Sequence, residues 1–421
     1  MKVTVPDQKK INIRWLYLAV GVIALLFAGI IYGWSILNKP FGMDGDLHWS
    51  NDQLAVNFTL TMCFFCLGGF IGGLLYRKLG VRLLLILSGV IACAGFFLTS
   101  QLSETSLAML YVSYGGLAGL GIGLAYNSII TTVNAWFPDK KGLCSGALMM
   151  GFGISALVIG KAADVLFNIP SVGWRTTFLI LGIALGVVLV VAGLILKLPA
   201  PDVKLPQAVK KAGGASENFE ARDFTPGQMI RRFTFWRAFL CIVFLAAVGN
   251  TVISFAKDLA ESVAKLSIPE DDAKSLATTL VGVLSVCNGL GRIAIGAIFD
   301  KLGRRKTMLL ANIVTITAAG VTLLSVFIGS LPLCVAGLCV TGFSYGSCPT
   351  ISSAFTSAFY GSRNFSVNFS IMNFNLMGAS LMATASSMLR TGFNNSFVAP
   401  FVLLLSLSVV ALVLNLSIRR P

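Results

Sequence analysis

The chain has 421 residues, of which 56% are hydrophobic and only 12% charged, and 32 Lys and Arg outnumber 17 Asp and Glu for a formal net charge of +15. Such a length and apolar content exclude a soluble globular enzyme, a disordered polymer, a collagen and a disulfide scaffold, and indicate a polytopic membrane protein. A spanning backbone must satisfy itself as helices or a closed barrel; unbroken apolar runs such as 179–196 and 401–416 indicate helices, because barrel strands alternate.

Runs of about 20 apolar residues predict twelve spans in chain order: 15–37, 52–76, 82–100, 106–135, 143–167, 174–197, 235–257, 275–299, 307–329, 332–358, 364–390 and 396–418. The first run is too long for a cleavable signal and lacks a small-residue cleavage site. Between the sixth and seventh lies the longest polar stretch, with Pro199, Pro201, Pro206, Gly213, Gly214 and several charges. The expected organisation is therefore a six-helix half at 1–197, a linker at 198–234 and a second six-helix half at 235–421.

The basic residues sit in short clusters between apolar runs, which argues for membrane topology over a nucleic-acid partner. All but eight of the 32 fall on the side of the termini, the even-numbered loops and the linker. The positive-inside rule puts that side, with both termini, in the cytoplasm of a multi-pass protein of the cell membrane. The nine cysteines lie in or beside apolar runs and read as small packing residues. Cys63 and Cys66 have no second pair or nearby His to make a metal site, and His48, the only histidine, lies in a loop. No metal, cofactor or catalytic set is expected; the chain is expected to work as a monomer in the bilayer, without nucleic acid.

One offset relates the halves. Gly73-x6-Gly80-x-Arg82 recurs 223 residues later as Gly296-x6-Gly303-x-Arg305, and the same shift takes Trp174 and Phe178 onto Phe397 and Phe401. Repeated six-helix halves are the plan of a rocking transporter with its site near the midplane.

The run Gly296-x3-Asp300-Lys301-x-Gly303-x-Arg305-Lys306 resembles the loop signature of the major facilitator superfamily. A glycine allows close packing, the acid can cap a neighbouring helix N-terminus, and Lys301 and Arg305 anchor the turn at Gly303 to the inner leaflet. These five positions are the expected gate; in the first copy Arg77 stands where the acid would be. Further pieces in order are Tyr32-x-Trp34-Ser35, Trp136-Phe137-Pro138-Asp139-Lys140-Lys141-Gly142, Asp223-Phe224-Thr225-Pro226-Gly227, Phe235-Trp236, Asn288-x3-Arg292 and Ser362-Arg363-Asn364. Together they resemble the oxalate/formate antiporter family, close to the monocarboxylate porters. The resemblance implies transport of small organic anions, by exchange or with protons.

Arg292 falls mid-span, with no acid in its own span. Burying arginine at mid-bilayer costs about 3 kcal/mol on the insertion scale, and its planar fork matches a carboxylate. Asn288, one turn earlier, can orient it. Tyr32, Tyr126 and Tyr345 are flanked by glycines or small residues, and phenol hydroxyls need partners in lipid. The resemblance places these three, with Phe152 and Phe369, at aromatic cavity positions, and gives Arg292 the substrate carboxylate. It also places Met372 where oxalate exchangers carry a second cation. Lys161 and Asp164 are spaced to pair on one helix face. The expected function is alternating-access transport of small monocarboxylates of the lactate, pyruvate, formate and acetate class. The alternatives are an oxalate-type exchanger and a non-transporting organic-acid sensor.

Overall fold

The computed structural model describes residues 8–43, 45–200, 203, 205–206, 223–394 and 396–418. Most of the expected linker, with Pro201, Gly213 and Gly214, lies outside the described residues, as do Lys2, Lys204, Lys210, Lys211, Arg222, Arg419 and Arg420. The described chain is helical throughout, with nine helices long and apolar enough to cross a membrane.

Two of those nine are double. Asn51–Ser100 bends at Gly80 (φ 70°, ψ 169°) and Glu270–Ile328 at Gly303 (φ 73°, ψ 178°). These dihedrals fall in a region that essentially only glycine occupies, at a cost of roughly 1–3 kcal/mol for any other residue, so the paired glycines of the repeated loop are what allow the chain to reverse. With these breaks, and with Phe365–Asn373 and Asn375–Gly392 taken as one rod interrupted at Phe374, there are twelve long helical segments among the described residues. We number them α1 (Gln8–Ala28, extended by tighter turns to Leu37), α2 (51–79), α3 (81–100), α4 (Leu107–Asn134), α5 (Lys141–Phe167) and α6 (Gly173–Ile195). A one-turn helix, Pro226–Ile230, then leads to α7 (Phe233–Ala264), α8 (270–302), α9 (304–328), α10 (Leu331–Tyr360), α11 (365–392) and α12 (Val398–Leu416).

Helix ends follow local chemistry. Ser50 and Gln53 form a reciprocal capping box at the start of α2, and Thr225 and Gln228 form another at the one-turn helix, each worth about 1 kcal/mol. Gly329, left-handed at φ 69°, closes α9.

The first six helices share one apolar core, joined by Phe365, Phe369 and Leu376 of α11. The last six bury two clusters, one around Phe235, Tyr345 and Phe355 and one around Phe255, Leu338 and Phe401. The two groups meet where α5 packs on α8 and α2 on α11. The end bearing residues 139–142, 226–232 and 300–306 is called the basic end below.

The expected Lys161–Asp164 pair is not formed. Asp164 binds Lys39 Nζ at 2.5 Å, tying the end of α1 to α5, while Lys161 is exposed. Both interactions were open to Asp164; the packing of α1 beside α5 brought the distant lysine closer. At the other helix ends, Lys265 binds Glu261 and Glu270, and Asp258 binds Arg390 at 2.9 Å.

Candidate functional site

Arg292 is 1% exposed. Its Nε donates to Asn288 Oδ1 at 3.1 Å, one turn back on α8. Its Nη1 donates across to the Met149 carbonyl of α5. Its Nη2 is buried and has no hydrogen-bond partner. An orphaned buried donor of this kind costs about 1–3 kcal/mol. Of the described residues, Arg14 and Arg292 are the buried charged ones, and Arg14 is paired with Asp139 at 2.8 Å. Arg292 is therefore the one buried cation in the described chain with no carboxylate beside it.

Aromatic rings wall the space next to it. The Tyr32 ring centroid lies 6.0 Å from Arg292 Cζ and 5.2 Å from that of Phe152. Tyr126 packs edge-on against Phe152 at 5.0 Å and Phe65 at 5.1 Å, and stacks on Phe369 at 6.3 Å. The Tyr345 hydroxyl lies beside that of Tyr32, and both Tyr126 and Tyr345 are within electrostatic reach of Arg292. The sequence-predicted Arg292, Asn288, Tyr32, Tyr126, Tyr345, Phe152 and Phe369 thus come together from α1, α4, α5, α8, α10 and α11. Met372 is fully buried in the apolar cluster that also holds Tyr345, Cys348 and Ile351.

Two members of the site were not singled out from the sequence. Phe65 stands inside Cys63-x-x-Cys66, where the cysteines drew notice; an aromatic one turn from a small-residue face was the available signal. Gly153 provides the seat for the guanidinium: a Cβ there would lie 2.8 Å from Arg292 Cζ and 3.1 Å from Nη2. Gly153→Ala is expected to push the guanidinium off its position and weaken ligand affinity by about tenfold, a 1.4 kcal/mol effect. Binding titration of the purified variant, with its thermal midpoint as a control for folding, checks this; unchanged affinity would remove Gly153 from the site.

The five residues expected to form the gate lie at the basic end. Asp300 accepts the Gly142 N–H at 2.9 Å and the Leu143 N–H at 2.8 Å, so the carboxylate caps the N-terminus of α5, where unpaired donors and the helix dipole favour an anion. Gly296 and Gly142 are in backbone contact, and a Cβ on either would enter the other's main chain. Gly303 makes the turn, and Lys301 and Arg305 are exposed. In the first copy, Arg77 keeps the geometry with inverted charge, donating to the Arg363 carbonyl and, at 3.0 Å, to Asn364 Oδ1. Lys141 reaches Ser357 at 2.9 Å, and Asn127 donates to the Ser366 carbonyl at 3.1 Å. Among the described residues, every hydrogen bond between the first and last six helices lies between the basic end and the level of Arg292 and Cys66.

A sequence profile of the Major Facilitator Superfamily matches residues 16–385 and, in a second alignment, 251–420. The chain is 30% identical over 361 residues to the uncharacterized MFS-type transporter YhjX of Escherichia coli K12, covering 85% of this chain and 84% of that one. It is 28% identical over 374 residues to the oxalate:formate antiporter of Oxalobacter formigenes, covering 84% and 80%. The fold is similar to that of the fucose:proton symporter FucP of Escherichia coli, with TM-score 0.68, 14% identity and coverage of 96% and 98%.

Proposed function

This chain belongs to the major facilitator superfamily of multi-pass membrane transporters, and from that premise we propose that it carries small monocarboxylates by alternating access. It is a transporter and not an enzyme. The observation that carries the substrate reading is Arg292: a buried guanidinium with one unpartnered nitrogen, no carboxylate beside it, and a wall of aromatic rings. A carboxylate supplies the missing acceptor and cancels the charge, while the rings confine a short carbon end. The activity for which the oxalate:formate antiporter is named supports an organic-anion cargo, and so does the name of mouse monocarboxylate transporter 2, 26% identical over 210 residues.

In this reading, 1–197 and 235–421 rock about the site, and 198–234 links them. The hydrogen bonds of Asp300, Arg77, Lys141 and Asn127 hold the basic end shut, and breaking them opens it. Nη1 of Arg292 rests on the Met149 carbonyl, so the guanidinium itself is part of the closure. A carboxylate entering from the opposite end competes for that hand and loosens the latch. The described buried residues include no Asp or Glu, so a co-transported proton would travel on the substrate and not on an interior carboxylate. Exchange of oxalate for formate is the second reading, favoured by the 28% identity to that antiporter.

Uptake of labelled lactate, pyruvate, formate, acetate and oxalate into vesicles carrying the purified chain, with and without a pH gradient, tests the proposal. Saturable uptake of a monocarboxylate is expected; uptake of none of the five would sink it. We also propose that the basic end faces the cytoplasm. A cysteine at Ser103, exposed between α3 and α4, is then labelled in intact cells by an impermeant thiol reagent, and one at Gly227 is not. Labelling at 227 from outside reverses the orientation.

A further inference from the structure

The polar segment before α7 does more than connect. The Phe224 N–H donates to the Tyr360 carbonyl at 3.1 Å, and the Phe224 carbonyl accepts from Asn364 at 2.9 Å and Asn368 at 3.0 Å. Asp223 accepts the Arg363 N–H at 2.9 Å. The one-turn helix that follows, its capping box satisfied, packs on the start of α11 through the buried Met229, and beside it lies a cavity of 360 Å³ walled by Phe224, Gln228, Arg231 and Arg232.

Neither arginine has a carboxylate partner among the described residues. Arg232 lies over the Phe224 ring at 5.8 Å, and the Phe224 ring packs edge-on against Tyr360 at 5.6 Å. The Tyr360 hydroxyl is buried without a partner, within electrostatic reach of Arg232. Both arginines are exposed and both line the cavity, so an anion seated there meets two guanidiniums. The flanking residues say which kind of anion. Ile230, Phe233 and Trp236 are exposed, Phe233 by 81%, at the first turn of a long apolar helix. Exposed aromatics beside arginines at that level are the composition of the membrane–water interface.

We propose that this cavity binds the phosphodiester headgroup of an anionic phospholipid. Arg231 and Arg232 donate to the non-bridging oxygens, whose geometry suits the guanidinium fork. Gln228 serves the polar part of the headgroup, and the acyl chains run past Phe233 and Trp236. A choline headgroup would bring a cation towards the arginines and is disfavoured. The bound lipid is wired to the gate, because Phe224 is held by Asn364, whose side chain also accepts from Arg77.

The test measures thermal unfolding and native mass spectra of the purified full chain in detergent. Additions are phosphatidylglycerol, phosphatidylcholine, or soluble glycerol 3-phosphate. Phosphatidylglycerol is expected to remain as an adduct and raise the midpoint, and phosphatidylcholine is not. The double variant R231Q/R232Q should need about tenfold more phosphatidylglycerol for half the shift, or more, as expected for lost hydrogen bonds to a charged group. Lys161→Gln, exposed towards the opposite end, should behave as the unmutated chain. If the double variant does not fold, Arg231→Gln alone gives the same comparison with a smaller shift. Equal stabilisation of variant and unmutated chain by phosphatidylglycerol overturns the site. An equal shift from glycerol 3-phosphate alone makes it a site for soluble phosphates and overturns the lipid assignment.

Discussion

Arg292→Ala is expected to abolish carboxylate uptake while the protein still folds and inserts. The guanidinium is buried, holds Asn288 and the Met149 carbonyl, and leaves Nη2 unpartnered. A substrate carboxylate docked there forms a buried, charge-assisted pair. Truncating one side of such a pair costs about 2–5 kcal/mol, or roughly 30-fold to several thousand-fold in affinity. Folding should survive, because the variant removes a charge whose burial costs about 3 kcal/mol, which offsets the about 1–3 kcal/mol of leaving the Asn288 Oδ1 acceptor unpaired. Arg292→Lys is expected to fail nearly as badly: lysine keeps the charge but has no planar fork to hold Asn288, Met149 and a carboxylate at once. Uptake into vesicles, with size-exclusion profile and thermal midpoint alongside, makes the measurement. Near-normal uptake by Arg292→Ala would remove Arg292 as the carboxylate ligand.

Competition should separate one charge from two. In vesicles at neutral pH and zero membrane potential, lactate or pyruvate is expected to displace labelled substrate at concentrations about 10- to 100-fold below oxalate. A monocarboxylate on Arg292 makes a locally neutral pair. Oxalate leaves a second carboxylate among aromatic rings with no counter-charge, and an uncompensated buried charge costs several kcal/mol, each 1.4 kcal/mol being tenfold. The described part of α11 carries one basic residue, Arg390, far along it and bound to Asp258. Met372, which the family resemblance sets where oxalate exchangers carry a second cation, is packed beside Tyr345 among apolar neighbours. Met372→Lys is the matching gain-of-charge variant and should narrow the gap. Oxalate competing as well as lactate in the unmutated chain refutes the single-charge argument.

The fold was legible in the sequence where apolar runs and glycines do the work. The turn at Gly303, the matching turn at Gly80 and the acid after Gly296 all follow from residue type and spacing, because helix reversal and helix capping are local chemistry. The cationic centre was legible because a mid-span arginine has few explanations. What escaped were contacts whose partner is backbone. Nothing in the letters around Met149 marks its carbonyl as the rest for Arg292, and Arg77 reads as a degraded acid until its acceptor, the Arg363 carbonyl, is in place. Lys39 and Asp164 are likewise far apart in sequence, whereas helical spacing offers Lys161 first. The interruption of α11 at Phe374 has no proline or glycine to announce it.

The glycines between α5 and α8 give the joint a mechanical character. Gly142 meets Gly296, Gly146 faces the Arg292 carbonyl, and Gly289 lies beside Ile154 and Met150; on the other seam, Gly73 approaches the Ser366 carbonyl. At Gly142, Gly146, Gly296 and Gly73 main chain lies on main chain, as in a plain bearing, whereas interlocked leucines would mesh like gear teeth. Ridges that interdigitate must be lifted over one another, and each such side chain adds rotamer strain to the motion. In the proposed rocking, the resistance lies in the polar clasps at one rim and in the α11 side chains Phe365, Phe369 and Leu376 that are set into the first core.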